Sequence, residues 1–137
     1  MRFIYCIFTF LIYGTSAAEV VECEIEQVSR LSEDKLSLLS ETGYDRFEGT
    51  IFGIDLLSGS ISNLGDLDGH TWRNKTYQPN PERDVYTMRL VSITLPMTYA
   101  ILNVVKSDGR VPGDFFFYII VRDGHGYSGT CQSSPNN

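Results

Sequence analysis

Cysteine, histidine and positive charge are all scarce in this sequence of 137 residues. It contains three cysteines and two histidines, and its 11 lysines and arginines are outnumbered by 17 aspartates and glutamates. Three cysteines are too few for a disulfide-dense miniprotein. The net charge of −6 argues against nucleic acid as the partner, because binding to phosphates needs a positive surface. The hydrophobic fraction of 42% is too high for a disordered chain, so we expect a packed core.

The sequence also lacks an apolar run of the roughly 20 residues that span a bilayer. Near the N-terminus, Arg2 precedes the apolar stretch Phe3 to Tyr13, and the small residues Ser16-Ala17-Ala18 follow. A positive start, an apolar centre and small residues at the cleavage position are typical of a secretory signal peptide. We therefore predict a cleavable signal peptide at residues 1–18. Residues 19–137 are then expected to form one domain that is secreted to the extracellular space.

A second uncharged stretch, Leu90 to Val105, is also too short for a span and contains Pro96. Its many β-branched residues favour strands over a helix. The stretch therefore predicts two buried strands with a break near Pro96, and no stable insertion into a membrane.

Removal of the signal peptide would leave two cysteines, Cys23 and Cys131. An even number in an oxidising compartment favours a disulfide over a metal site or a redox pair. Cys23 lies on the apolar side of an alternating segment, and Cys131 follows the last glycine-rich element. Since the first and last strands of a sandwich or barrel often meet, we predict a Cys23–Cys131 disulfide. Two free thiols and an intermolecular bond through Cys131 are the alternatives.

Short strands and glycine-rich turns dominate the pattern. Alternation of apolar residues with glutamates over Val21–Glu26 indicates a half-buried strand. Ser29–Glu41 fits a helix as well as a strand. Gln78–Pro81 is predicted to be a loop, and Phe115–Val121 a central strand covered on both faces. Further strands are expected at Thr50–Leu57, Asp84–Leu95 and Tyr99–Val105. The fold class is all-β, a small antiparallel sandwich or barrel-like domain.

No convincing catalytic or metal-binding motif accompanies these strands. Ser128 lies in Gly126–Thr130, which departs from the G-x-S-x-G pattern at its last position. Only His70 and His125 are available as a base, and two scattered histidines are weak evidence for zinc. Asp66–His70 begins like a calcium loop but has no glutamate at position 12, so a hairpin turn at Asp68-Gly69 is expected. We predict a protein that is not an enzyme and has no catalytic, metal or cofactor site.

Two further features concern the surface and the core. Asn74-Lys75-Thr76 is an N-glycosylation sequon, so we predict a glycoprotein with Asn74 exposed among turn residues. Phe115, Phe116 and Phe117 either pack the core or line a pocket for a small apolar ligand.

The C-terminal half combines a strand, a glycine-rich turn, an apolar strand and a G-x-G element. The segments are Tyr86–Ile93, Ala100–Val105, Asp108–Gly113, Phe115–Val121 and Arg122–Tyr127. Together with Val28-Ser29-Arg30 and the leucines that follow Glu33, this pattern resembles the MBF2 family of small secreted arthropod proteins over residues 28–128. The resemblance implies that Leu36–Leu39 is a strand, and it implies no enzymatic residues.

Two functional hypotheses follow. The first is a secreted, non-enzymatic β protein of the salivary, venom or haemolymph type that binds an extracellular protein partner. The second is an extracellular carrier of a small apolar ligand, motivated by the phenylalanine-rich strand. A remote alternative is the transcriptional co-activator role after which the MBF2 family is named.

Overall fold

The computed structural model describes residues 19–32, 35–38, 47–67, 70–95, 97–110, 112–122 and 124–134, and the predicted signal peptide lies outside them. The predicted all-β fold class is confirmed. The described residues form ten strands: β1 Val20–Ser32, β2 Lys35–Leu38, β3 Ile51–Asp55, β4 Ile61–Ser62, β5 Asp66–Leu67, β6 His70–Asn80, β7 Val85–Ser92, β8 Tyr99–Lys106, β9 Phe115–Val121 and β10 His125–Ser133.

The strands form one antiparallel sheet that curls into a nearly closed, barrel-like shape rather than a two-sheet sandwich. Their order is β4-β3-β1-β10-β9-β8-β7-β6-β5, with β2 paired to β1 beside this path. From β6 to β10 every strand pairs with its neighbour in the chain, and then β10 pairs with β1. The β1–β10 pairing joins the two ends of the domain.

Strand β1 follows the alternation that the sequence predicts, and its first half buries Val21, Cys23 and Ile25. A β-bulge then shifts the register against β10, so that Val28 rather than Gln27 points into the core. Opposite the bulge, a Cβ atom on Gly129 would overlap the carbonyl oxygen of Glu24. The close approach of the two backbones therefore requires glycine at position 129.

The predicted cysteine pairing is confirmed, because Cys23 and Cys131 lie at disulfide distance. They are direct cross-strand partners on β1 and β10, their Cα atoms are 3.9 Å apart, and both are fully buried. The pair links positions 108 residues apart in sequence.

On the other side of the barrel-like sheet, side chains of β6 form hydrogen bonds to the turn between β3 and β4. The Asn74 side-chain amide donates a hydrogen bond to the carbonyl of Gly59 over 2.6 Å, and the Tyr77 hydroxyl donates one to the carbonyl of Leu56. Gly59 has φ +71° and its Cα faces the Tyr77 ring so closely that any Cβ would collide with it. We refer to Asn74, Tyr77, Leu56 and Gly59 as the side-chain closure.

Two predictions about residues of β6 need correction. Gln78–Pro81 is not a loop, because β6 continues through Asn80 and Pro79 pairs with Tyr86. This part of the strand has β7 on one side and no described strand on the other, and such an edge tolerates a residue without an N–H. Likewise, Asn74 is half-buried within β6 and does not lie among turn residues.

The ambiguous segment Ser29–Glu41 is strand where it is described. Ser29–Ser32 belongs to β1 and pairs with Lys35–Leu38 of β2, which agrees with the strand that the family resemblance implies. Leu39–Glu41, the break at Pro96 and the turn at Asp68-Gly69 lie outside the described residues.

The prediction for Phe115–Val121 is right about the strand and wrong about its environment. Strand β9 has these bounds and lies between β8 and β10, but only alternate residues face the core. Tyr118 and Ile120 point outward into solvent, because the curled sheet buries its inner face and no second layer of described residues covers the outer one. The prediction of two buried strands within Leu90–Val105 needs the same correction, because β7 and β8 each bury one face while the other face is half-buried or exposed.

Candidate functional site

The residues considered for catalysis or metal binding are not brought together. His70 begins β6 and contacts the Ser92 hydroxyl over 3.1 Å, whereas His125 begins β10 and is buried. Three strands separate β6 from β10 in the sheet. Ser128 lies in the middle of β10 and not at a strand-to-helix turn. Among the described side chains, no group of three metal-ligating residues is close enough to share an ion.

The phenylalanines of β9 divide between the two faces of the sheet. Phe117 packs edge-on against Phe52 with ring centroids 5.0 Å apart, and Phe115 packs against Tyr86 at 6.3 Å. Both are buried in the core, while Phe116 is half-buried on the outer side. Phe115 and Phe117 therefore stabilise the interior by packing.

The outer side of β8 and β9 carries four large apolar residues in contact with solvent. Ile101 of β8 is the direct cross-strand partner of Ile120 on β9, and Tyr99 and Tyr118 lie two residues away on the same face. Between 37 and 47% of each side chain is exposed. Because single exposed apolar residues are common but contiguous ones mark contact surfaces, we name Tyr99, Ile101, Tyr118 and Ile120 the outer apolar face.

A groove of about 210 Å³ runs along one edge of the outer apolar face. Tyr118 and Ile120 line one side, and the other lining residues include Gly124, Gly126, Ser29 and Ser128. The groove exists because Gly126 has no side chain: a Cβ there would lie 2.8 Å from the Ser29 hydroxyl. Its volume suits one apolar side chain or a short aliphatic group, and is below the roughly 300 Å³ of most small-molecule sites.

A second, more open pocket of about 450 Å³ lies at the other edge, where β7 and β8 meet their connecting loop. Lys75, Arg89 and Arg122 line it together with Tyr99 and Met97. The guanidinium carbons of Arg89 and Arg122 lie 5.2 and 5.9 Å from the centroid of the Tyr99 ring. We name Lys75, Arg89 and Arg122 with Tyr99 the basic pocket; among the described side chains, none of its cations forms an ion pair.

Carboxylates concentrate at the opposite end of the strands. Asp84 forms an ion pair with Lys106 at 4.0 Å. Asp114 accepts a hydrogen bond of 2.8 Å from the backbone N–H of Ser133, which lowers the pKa of its carboxyl group. A hydrogen bond from the Ser58 hydroxyl likewise lowers the pKa of Asp55. These three carboxylates therefore lie at the end of the strands away from the basic pocket.

Sequence reasoning missed the outer apolar face for an identifiable reason. Phe115–Val121 is apolar at every position, so periodicity cannot tell its inner residues from its outer ones. The signal that could have revealed this face was the expected antiparallel arrangement of the strands, because antiparallel sheets commonly leave one face exposed to solvent. The basic pocket had no signal, because Lys75, Arg89 and Arg122 come from three different strands or their ends.

The sequon is integrated into the fold. Asn74 uses its amide nitrogen, the atom that would carry a glycan, in the side-chain closure. Its Oδ1 atom is buried and has no hydrogen-bond partner among the described residues. Glycosylation at Asn74 stays a prediction, and a glycan there would replace one of the two hydrogens on the nitrogen that donates to Gly59.

Within the described part of the chain, no helix is both long enough and apolar enough to cross a membrane. No protein-family model, curated protein or solved structure matches the chain. The resemblance to the MBF2 family therefore rests on the sequence motifs alone and stays a prediction.

Proposed function

We propose that this protein is secreted and acts outside the cell as a non-enzymatic binding protein that contacts a protein partner through the outer apolar face. The observation that carries the proposal is the contiguity of Tyr99, Ile101, Tyr118 and Ile120 in solvent. Exposure of this apolar area is unfavourable in water, and a partner that covers it recovers the hydrophobic free energy.

The composition and setting of the face suit protein recognition. Tyrosine is enriched among residues that dominate binding energy, since its ring is large, rigid and amphipathic. Polar side chains border the face, including Asn103 beside Tyr118, whose amide oxygen accepts a hydrogen bond of 2.7 Å from Thr87. Because all four residues stand on paired strands, little ordering entropy is lost when a partner binds.

The extracellular location is supported by the sequence pattern of residues 1–18 and by the Cys23–Cys131 pair. Disulfides persist mainly in oxidising compartments, so a cysteine pair at bonding distance is compatible with secretion. N-terminal sequencing of protein collected from culture medium is expected to begin at Glu19. Intact protein that retains Met1, or that accumulates in the nucleus, would favour the co-activator alternative.

Partner capture tests the face directly. The protein is immobilised, extracellular fluid of its own source is passed over it, and the retained partner is identified and purified. Ile120→Asn is expected to weaken binding and raise the partner's dissociation constant at least about tenfold, as for a central contact residue. Ile51→Asn is the matched control, because Ile51 is 50% exposed on β3, away from this face, against 47% for Ile120. Equal affinities for both variants and the wild type would contradict the proposal.

Binding of a small apolar ligand is a second candidate, favoured by the groove beside Tyr118 and Ile120. The groove is lined mostly by apolar atoms, and its volume of about 210 Å³ would take a short aliphatic or aromatic group. Native mass spectrometry of protein from its own source is expected to show a co-purifying mass in this case. Gly126→Val would fill the groove and release that mass, whereas unchanged occupancy in the variant would remove this candidate.

A further inference from the structure

The loop between β7 and β8 presents three large apolar side chains to water. Ile93, Leu95 and Met97 are 59, 54 and 83% exposed, which makes this segment more apolar at its surface than the outer apolar face. In the sequence, Thr94 and Pro96 separate these three residues. Pro96 lies outside the described residues.

Hydrogen bonds hold this loop in place. The Ser92 hydroxyl accepts bonds of 3.2 and 3.1 Å from the backbone N–H groups of Thr94 and Leu95. The Arg122 guanidinium donates a bond of 3.0 Å to the carbonyl of Met97. The Thr94 hydroxyl accepts a bond from the backbone N–H of Thr71 on β6. The loop is therefore anchored on both sides, and the exposure of its apolar side chains is built into the fold.

The basic pocket lies directly behind this loop, since Met97 lines both. Lys75, Arg89 and Arg122 supply three positive charges there, without an ion pair among the described side chains. Arg122 belongs to both features, because it packs on Tyr99 and supports the loop. An apolar tip above a ring of cations is the arrangement that an anionic membrane surface accommodates.

The net charge of −6 is spread over the chain, and several described carboxylates lie far from the loop. The far end of the strands carries Glu19, Asp55, Asp84, Asp108 and Asp114, two of them paired with Lys106 and Arg110. Strands β7 and β8 have eight residues each. At about 3.4 Å per residue they separate the two ends by more than the Debye length of about 8 Å in physiological salt. An anionic surface at the loop is therefore screened from these carboxylates.

We propose that the β7–β8 loop docks reversibly on membranes that contain anionic phospholipid. Leu95 and Met97 enter the boundary between headgroups and acyl chains, while Lys75, Arg89 and Arg122 contact lipid phosphates. This goes beyond the proposed function, since it concerns the loop end of the strands and a lipid partner. Lipid fits better than a second protein, because separate protruding side chains need a partner that deforms around them, whereas a protein would need matching cavities.

Vesicle flotation tests this proposal with the full mature chain. Binding is expected for vesicles of phosphatidylcholine mixed with phosphatidylserine, and much weaker binding for phosphatidylcholine alone. Leu95→Ser and Met97→Ser are each expected to reduce the partition coefficient about tenfold, from the loss of buried apolar area. Arg89→Gln is expected to reduce it about fivefold, as for one cation at an anionic surface.

Leu57→Ser is the matched control, because Leu57 is 60% exposed at the acidic end of the strands. It is expected to leave flotation unchanged, and so is Ile120→Asn, which separates this proposal from the outer apolar face. Circular dichroism checks that every variant keeps its strand content. The proposal is overturned if both vesicle types bind alike, or if binding is insensitive to Leu95→Ser and Met97→Ser. Salt-sensitive adsorption that ignores the loop variants would likewise contradict it.

Discussion

The pairing of β1 with β10 and the outer face of β8 and β9 belong to one sheet, but they use their side chains in opposite ways. Between β1 and β10, a buried cysteine pair and a glycine fitted to a bulge hold two backbones together. On the outer side of β8 and β9, large apolar side chains are 37 to 47% exposed. The first region stabilises the fold, whereas the second leaves apolar area exposed to solvent.

The largest expected effect comes from breaking the cysteine pair. For positions 108 residues apart, the chain-entropy model gives about 4–5 kcal/mol of stabilisation as an upper value. The double variant Cys23→Ala/Cys131→Ala is expected to lose much of this in urea unfolding. Reduction of the wild-type protein is the control and should lower its stability to a similar level. An unchanged unfolding midpoint in both experiments would show that the bond does not constrain the unfolded chain.

Substitution of the neighbouring residues Ile119 and Ile120 compares the two faces of the sheet within one strand, β9. Ile119 is fully buried and Ile120 is 47% exposed. We expect Ile119→Ala to reduce the free energy of unfolding by about 3 kcal/mol, because it leaves a cavity in the core. Ile120→Ala is expected to change it by less than about 0.5 kcal/mol. Urea denaturation of both variants measures the difference, and equal losses would show that Ile120 is structural.

Gly129 and Gly126 of β10 differ in what an added side chain would meet. At Gly129 it would meet backbone, and at Gly126 it would meet a side chain that can rotate. In Gly129→Ala the new Cβ meets the backbone of Glu24, which cannot move without distorting the bulge. We expect a loss of about 1–3 kcal/mol, typical of overpacking. In Gly126→Ala the Cβ meets the Ser29 hydroxyl, which rotates away. Thermal unfolding should therefore show a clearly smaller shift for Gly126→Ala, and the reverse order would contradict the described bulge.

The smallest effect is expected at the side-chain closure. Burial raises the pKa of Tyr77 to about 12. Its contribution to stability is then fully present below its unfolded pKa of about 10, and is lost as the pH rises towards 12. Tyr77→Phe removes the hydrogen bond to Leu56 and about 1 kcal/mol at neutral pH. The variant should also lose less stability than the wild type between pH 10 and 12.

Tyr118→Phe is the control for this prediction, because Tyr118 lies on the outer apolar face. It is expected to leave both the free energy of unfolding and its pH dependence unchanged. If Tyr77→Phe behaves like Tyr118→Phe, the closure between β6 and the β3–β4 turn contributes nothing to stability.

The strand and the cysteine link that join the ends of the sheet were easier to predict from the sequence than the residues on its surface. Alternation over Val21–Glu26 predicted β1 because it is a local signal, and the two cysteines that remain after signal-peptide removal allowed one intramolecular pairing, which predicted the link to β10. The bulge beside Gly129 was not predictable, since it depends on which backbones meet. Pro79 was misread for a related reason: proline disfavours only a paired strand interior, and the sequence does not reveal that this part of β6 is an edge.

The candidate site was the least predictable part. Tyr118 and Ile120 look like core residues by composition, and only the curl of the sheet places them outside. The cations of the basic pocket are separated in sequence and meet through the pairing of β6 to β9. Surfaces built from several strands have no sequence periodicity of their own, so they become visible only when the register is known.

Site-specific photo-crosslinking tests most directly whether the outer apolar face binds an extracellular partner. A photoreactive benzoylphenylalanine replaces Tyr118 in one preparation and the exposed Leu57 in another, and both are irradiated in extracellular fluid of the protein's own source. The account predicts one discrete protein adduct from position 118 that is absent from position 57. Identical adducts from both positions, or none from position 118, would contradict it.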